Sequence, residues 1–301
     1  MQPLDGFLTA TDRALQALAG RYFPSLQAAV EGSPFEWSDL NAGQMAQAAE
    51  PEPLGVAQLL ARTPYMSAAA ARRQLDAAAE RGLLESAPDG FRVSPSGRAF
   101  LASITQIPTA ALAELEGQLP GVERLAELLG GQVAAICTAP GIACPALTGS
   151  RRFDPGPDAS ALQRLRRALI DLNSWRDDAH VAAWRAHETE GHAWEAFSHV
   201  WAENTWGDPI RSAAEAAEKL GSFRGYAAAD YAAALDRLVA RGWLESRGPD
   251  EYQLTEAGRH LRQQAETATD QLYFAPMTLS PAESSELLDH LSQLGQALDA
   301  A

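Results

Sequence analysis

Apolar side chains return every three or four positions through most of this chain. Leu8, Leu15, Leu18, Tyr22 and Leu26 form one stripe, which predicts a helix over residues 5–30 with a single buried face. Glu31-Gly32-Ser33-Pro34 ends that pattern, a second helix is expected over roughly 35–48, and Glu50-Pro51-Glu52-Pro53 interrupts again. Helices near 54–62 and 66–81 follow, and then the period shortens to two, predicting a pair of strands over about 83–93. A helix from Pro95 towards Ile107-Pro108 and two more over about 109–117 and 121–137 complete this stretch. From Thr138 to Ser160, Pro140, Pro145, Pro155 and Pro157 exclude regular structure. The pattern then starts again: helices at about 159–187, 192–203, 210–220 and 226–241, strands over 243–254, and helices at 255–273 and 280–298.

The second pass repeats the first in detail. Arg81-Gly82-Leu83-Leu84-Glu85-Ser86 returns as Arg241-Gly242-Trp243-Leu244-Glu245-Ser246. In both places the chain goes on through Pro-Asp and an aromatic residue to Ser/Thr-x-x-Gly-Arg, ending at Arg98 and Arg259, with Gly248 as one extra residue in the second turn. Arg-Gly ends a helix, Pro-Asp makes a tight turn between strands, and Ser94 or Thr255 caps a new helix. Helix, recognition helix, two-stranded wing and exit helix make a winged helix-turn-helix. The expected fold is mainly α with two small β-wings: a first winged-helix half over 1–138, a linker over 139–158 and a second half over 159–301.

Leu254-Thr255-Glu256-Ala257-Gly258-Arg259 and Leu279-Ser280-Pro281-Ala282-Glu283 resemble the MarR family of winged-helix regulators, as does the order of elements. That resemblance implies a pseudo-two-fold arrangement, a single-chain pseudo-dimer in which each half stands for one subunit of a dimer. It also implies duplex DNA as partner. Matched to the family pattern, the candidate DNA contacts of the first recognition helix are Ser67, Arg72, Arg73 and Gln74, with Arg92 on the wing. The second recognition helix offers Ala227, Ala228, Ala229, Asp230, Ala232 and Ala233, no base donor among them. Trp175-Arg176-Asp177-Asp178-Ala179-His180-Val181-Ala182-Ala183-Trp184 is similar to a group of actinobacterial helix-turn-helix proteins, a likeness that brings no activity with it.

Charge works against tight DNA binding. The formal net charge is -15, and Lys219 is the single lysine. A polyanion is repelled by that balance over distances near the Debye length, whereas duplex binding draws on a basic stripe. Arg92 and Arg247 on the wings are set against Asp89, Asp250 and Glu251. Binding is therefore expected to be weak, salt-sensitive and carried by the first half.

Five of the seven tryptophans and four of the six histidines fall within 175–206. Asp177, His180, Trp184 and His187 share one helical face, and His192, Glu195 and His199 share another on the next helix, beside Trp194. The family likeness puts this segment where an effector pocket is lined, so Asp177, His180, Trp184, His187, His192, Trp194, Glu195 and His199 are candidate contacts for a small aromatic or apolar ligand. His180, His187, His192, Glu195 and His199 are also candidate ligands for zinc or a similar metal, although no standard metal spacing is present. The structural alternative is a tryptophan core with histidines at its edge. Cys137 and Cys144 read as free thiols, with a redox pair as the other possibility.

No apolar run reaches membrane-spanning length and no basic leader is present, so a soluble cytoplasmic protein is expected. The leading expectation is a ligand-responsive transcription regulator. Its alternatives are a repurposed winged-helix protein that binds a small molecule or a protein without reading DNA, and a metal-dependent enzyme using the His/Glu cluster. No cofactor follows from the sequence.

Overall fold

The computed structural model describes residues 6–139, 141–202 and 209–300. The single helix expected over 5–30 is two, α1 (Phe7–Gly20) and α2 (Phe23–Glu31), because Pro24 in the first turn of α2 favours a helix start there. α3 (Trp37–Ala49) opens on a box in which the Asp39 carboxylate accepts the Glu36 N–H at 2.8 Å. The fully buried Asp39 also receives Arg81 at 2.6 and 2.7 Å, tying α3 to the end of the first recognition helix. α4 (Val56–Arg62) and α5 (Ala68–Glu80) are the first helix-turn-helix, followed by β1 (Leu84–Ala87) and β2 (Gly90–Val93).

Two expectations are corrected between the halves. Pro108 does not end a helix: α6 (Pro95–Glu114) runs through it, because Ile104, Pro108 and Leu112 are buried along one face and that packing outweighs one missing N–H. After α7 (Val122–Thr138), the proline-rich linker forms a helix of its own, α8 (Pro145–Arg151). Its first-turn amides are satisfied from outside, since the buried Asp178 carboxylate accepts Ala146 N–H at 3.0 Å and Leu147 N–H at 2.8 Å.

The second pass gives α9 (Ala161–Arg185), α10 (Gly191–Ala202), α11 (Ala213–Ala216), a π turn at Ala217–Gly221, α12 (Ser222–Arg224) and α13 (Ala228–Ala240). β3 (Leu244–Gly248), β4 (Glu251–Leu254), α14 (Glu256–Phe274) and α15 (Pro281–Ala300) complete it. The wings match. β1 and β2 pair from Leu84–Val93 to Ala87–Gly90, and β3 and β4 pair from Leu244–Leu254 with a register slip between Ser246 and Gly248, which absorbs the extra residue. No described helix is long and apolar enough to cross a membrane.

The chain divides into two compact units that do not follow the sequence halves. The first comprises 1–54, 75–179 and 271–301, the second 55–74 and 180–270. In the first unit one apolar core draws on α1, α7, α9 and α15, with Phe7, Leu18, Leu125, Leu129, Leu165, Leu172, Leu287 and Leu294 almost or fully inaccessible. Helices from both halves of the sequence thus share that core. The second unit is built around Trp184, Trp194, Phe197, Tyr231 and Leu235.

Candidate functional site

The second unit holds the reading ends of both helix-turn-helix motifs. Gly55 caps α4 thirteen residues before α5 begins, and Ser212 caps α11 sixteen residues before α13 begins. The three additional residues are taken up by the π turn and by α12. Their result is a contact: the Arg224 carbonyl at the end of α12 accepts the Ser67 N–H at 2.8 Å. At Gly225, φ is +77°, and a Cβ there would meet Ser67 Oγ at 2.7 Å and overlap Ala70 Cβ. The start of the first recognition helix is therefore docked on the turn that precedes the second.

This docking sorts the candidate DNA contacts. Ser67 Oγ accepts the Ala70 N–H at 3.1 Å and serves as the cap of α5. Arg72 and Arg73 are exposed on the first turns and Gln74 is half-buried. On α13, Ala227 to Asp230 are exposed, and the Asp230 carboxylate is turned back onto the Ala227 N–H at 2.8 Å. Wing charges are also spoken for. Arg92 donates to the Pro51 carbonyl, Arg247 pairs with Glu245, and Asp250 accepts the Ala213 and Ala214 N–H groups at 2.7 and 3.2 Å. Asp250, expected to repel phosphate, is a helix cap.

The tryptophans expected to wall a cavity are packed on one another. Trp184 and Trp194 stack at 6.0 Å between centroids, at 2 % and 1 % exposure, with Phe197 edge-on to Trp194 and the buried Arg262 guanidinium over its ring. His187 stacks on Trp194 at 5.8 Å, and His192 on Tyr226 at 4.1 Å. Glu195 takes Arg224 through three contacts of 2.6–3.1 Å. Burial still pushes the Glu195 carboxyl above the usual range, with Arg224 opposing. His180 lies apart, against Thr269 at 3.4 Å and Glu266 at 3.9 Å, and Asp177 falls in the stretch that belongs to the first unit. Among the described residues, no three His, Cys, Asp or Glu side chains gather as a metal-binding set. Trp206 lies outside the described residues.

What this cluster holds is the turn of the first helix-turn-helix. Trp184 Nε1 donates to the Tyr65 hydroxyl at 3.1 Å, Arg224 lies over the Tyr65 ring at 5.5 Å, and a Cβ at Gly191 would overlap the Pro64 carbonyl. Gly191 is the point where that backbone comes close. Arg224 is the joint: its side chain is fixed by Glu195 and its carbonyl fixes Ser67. Helical periodicity reveals which side chains share a face, and it carried no sign that Pro64–Ser67 is what the face meets.

His187, His192 and His199 all titrate below the ordinary imidazole value of 6.5, chiefly because burial disfavours the charged ring. Arg241 adds to this at His187, and Lys219 and Arg224 at His199. Depressed folded-state values mean that the unfolded chain takes up protons first. The stabilisation these rings contribute as neutral groups is complete above about pH 6.5 and is lost as pH falls towards their folded-state values. Urea midpoints measured from about pH 7.5 to 5 should fall, and His192→Gln should flatten the decline. A midpoint indifferent to pH across that window would mean the rings are solvated.

A family model described as a helix-turn-helix family matches residues 96–301. No curated protein and no solved structure matches the chain.

Proposed function

On the premise that the chain belongs to this helix-turn-helix family, we propose that it is a DNA-binding regulator of MarR-like descent, a single-chain pseudo-dimer that touches duplex DNA through one end only. The observation that carries the reading is the exposure of Arg72 and Arg73 on the first turns of α5, set against the alanines of α13. Two reading ends joined at Ser67 and Arg224 do not lie one helical turn of DNA apart, about 34 Å, as paired half-sites require. One segment of duplex is engaged, mainly through phosphates. The same reading expects a small apolar or aromatic effector.

Anisotropy titrations with labelled duplex at about 50 and 200 mM salt test it. Arg72→Ala with Arg73→Ala should weaken binding about tenfold at the lower salt and reduce the salt slope by about 2, while substitutions at Ala228 and Ala233 leave it unchanged. Unaltered affinity in the double variant would remove the first helix from the interface. The second reading is a scaffold that no longer reads DNA, favoured by the net charge of -15 and by the donor-free face of α13; complete absence of binding at low salt would establish it.

A further inference from the structure

The first unit contains a cavity of about 540 Å³ between the last turn of α7, the segment after it, α8 and the end of α14. That volume lies within the roughly 300–1,000 Å³ of small-molecule sites. Its walls are Ile136, Ile142, Leu147, Leu272 and the ring of Trp175. An open apolar cavity of this size weakens the fold, because its walls forgo packing partners. The wall nevertheless includes α8, a helix whose amides the buried Asp178 is committed to satisfying.

The polar groups at the cavity define what it accepts. Arg151 is engaged with the buried Asp171 carboxylate at 2.8 Å and with Asp154, so its charge is already matched. The Trp175 indole N–H is given to the Tyr273 carbonyl at 3.0 Å, leaving the ring as apolar surface. Cys144 Sγ and the Thr148 hydroxyl lie 3.7 Å apart at the rim. Burial pushes the Cys137 thiol up despite Arg151 nearby, so it presents a neutral, polarisable sulfur and no nucleophile.

We propose that this cavity binds one uncharged, largely apolar aromatic molecule per chain, stacked against Trp175 and the two thiols, with a single hydrogen bond available from Thr148. The proposal deepens the effector part of the reading above, and binding is measured without DNA, so that loss of one claim leaves the other standing. α8 and the segment before it lie between the two copies, which makes the stoichiometry one.

Fluorescence titration of the full chain with the neutral dye N-phenylnaphthylamine should saturate at one equivalent, and anilinonaphthalene sulfonate, its anionic counterpart, should bind about tenfold more weakly. Thr148 and Ala275 are exposed at the rim, so Thr148→Trp and Ala275→Trp should fold and each should weaken the neutral dye about tenfold or more. The bound dye should also slow alkylation of Cys137 by N-ethylmaleimide in the unmodified chain, a readout independent of any variant. The inference is overturned by absence of saturation, by equal affinity for the sulfonate, or by binding that leaves Cys137 alkylation unchanged and survives both substitutions in folded protein.

Discussion

Asp171→Ala is expected to lower stability by about 3–5 kcal/mol, the range for removing one partner from a buried charge network. The Asp171 side chain is fully buried, accepts hydrogen bonds from Ser150 Oγ at 2.5 Å and Arg151 at 2.8 Å, and forms an ion pair with Arg167 at 3.0 Å. Arg167 is itself 8 % exposed, and desolvation holds it below the ordinary arginine value even beside that carboxylate. Alanine would strand the Arg167 guanidinium out of reach of bulk water and leave Arg151 with Asp154 alone. Because Ser150 and Arg151 end α8, the helix should loosen with them, and the neutral dye should lose its site. A guanidinium chloride midpoint reports the first effect. A loss below about 1 kcal/mol would show that these groups are hydrated as in an exposed pair.

The second large effect belongs to the repeated Ser/Thr-x-x-Gly-Arg phrase. Gly97→Ala and Gly258→Ala should each lower stability by about 2–4 kcal/mol. A Cβ at Gly97 would overlap the Leu83 carbonyl, and one at Gly258 would overlap the Trp243 carbonyl. Those oxygens sit at the exits of α5 and α13, where Ser94 donates to the Gly82 carbonyl at 2.6 Å and Thr255 to the Gly242 carbonyl at 2.7 Å. Each exit helix thus presses its first turn onto the end of its recognition helix, with the hydroxyl as clamp and the glycine as clearance. Gly130→Ala is the control, since nothing lies within 4 Å of a Cβ there and the helical position should gain about 0.5–1 kcal/mol. Melting temperatures of the three variants decide it; an unshifted Gly258→Ala would mean the helices separate at little cost.

That phrase also marks what could be read directly from the residues. Both wings and their exit helices are legible because caps, turns and glycines act within a few positions, and the repeat states them twice. Pro108 and Pro145 mislead for the same reason: their local preference is plain, but the outcome depends on the burial of the Ile104, Pro108 and Leu112 face and on Asp178, 32 residues from the amide it accepts. The His/Trp segment is correctly marked as unusual. Its residue types suggest ligation, whereas Trp184, Glu195 and Gly191 are used to seat Pro64, Tyr65 and, through Arg224, Ser67. The cavity beside α8 is missed because its walls come from four separate helices, one of them within a junction whose prolines predict no regular structure.

The seating of residues 55–74 among residues 180–270 also sets an order of assembly. On the ribosome, α4 and the start of α5 emerge long before Trp184, Gly191 or Arg224 has been made. The Tyr65 ring, which ends against Trp184, stays without that neighbour while the junction and α9 are synthesised. A translation pause in the junction would lengthen that interval, and a circular permutant that brings the two stretches together in sequence should refold with fewer slow phases than the natural order of the chain.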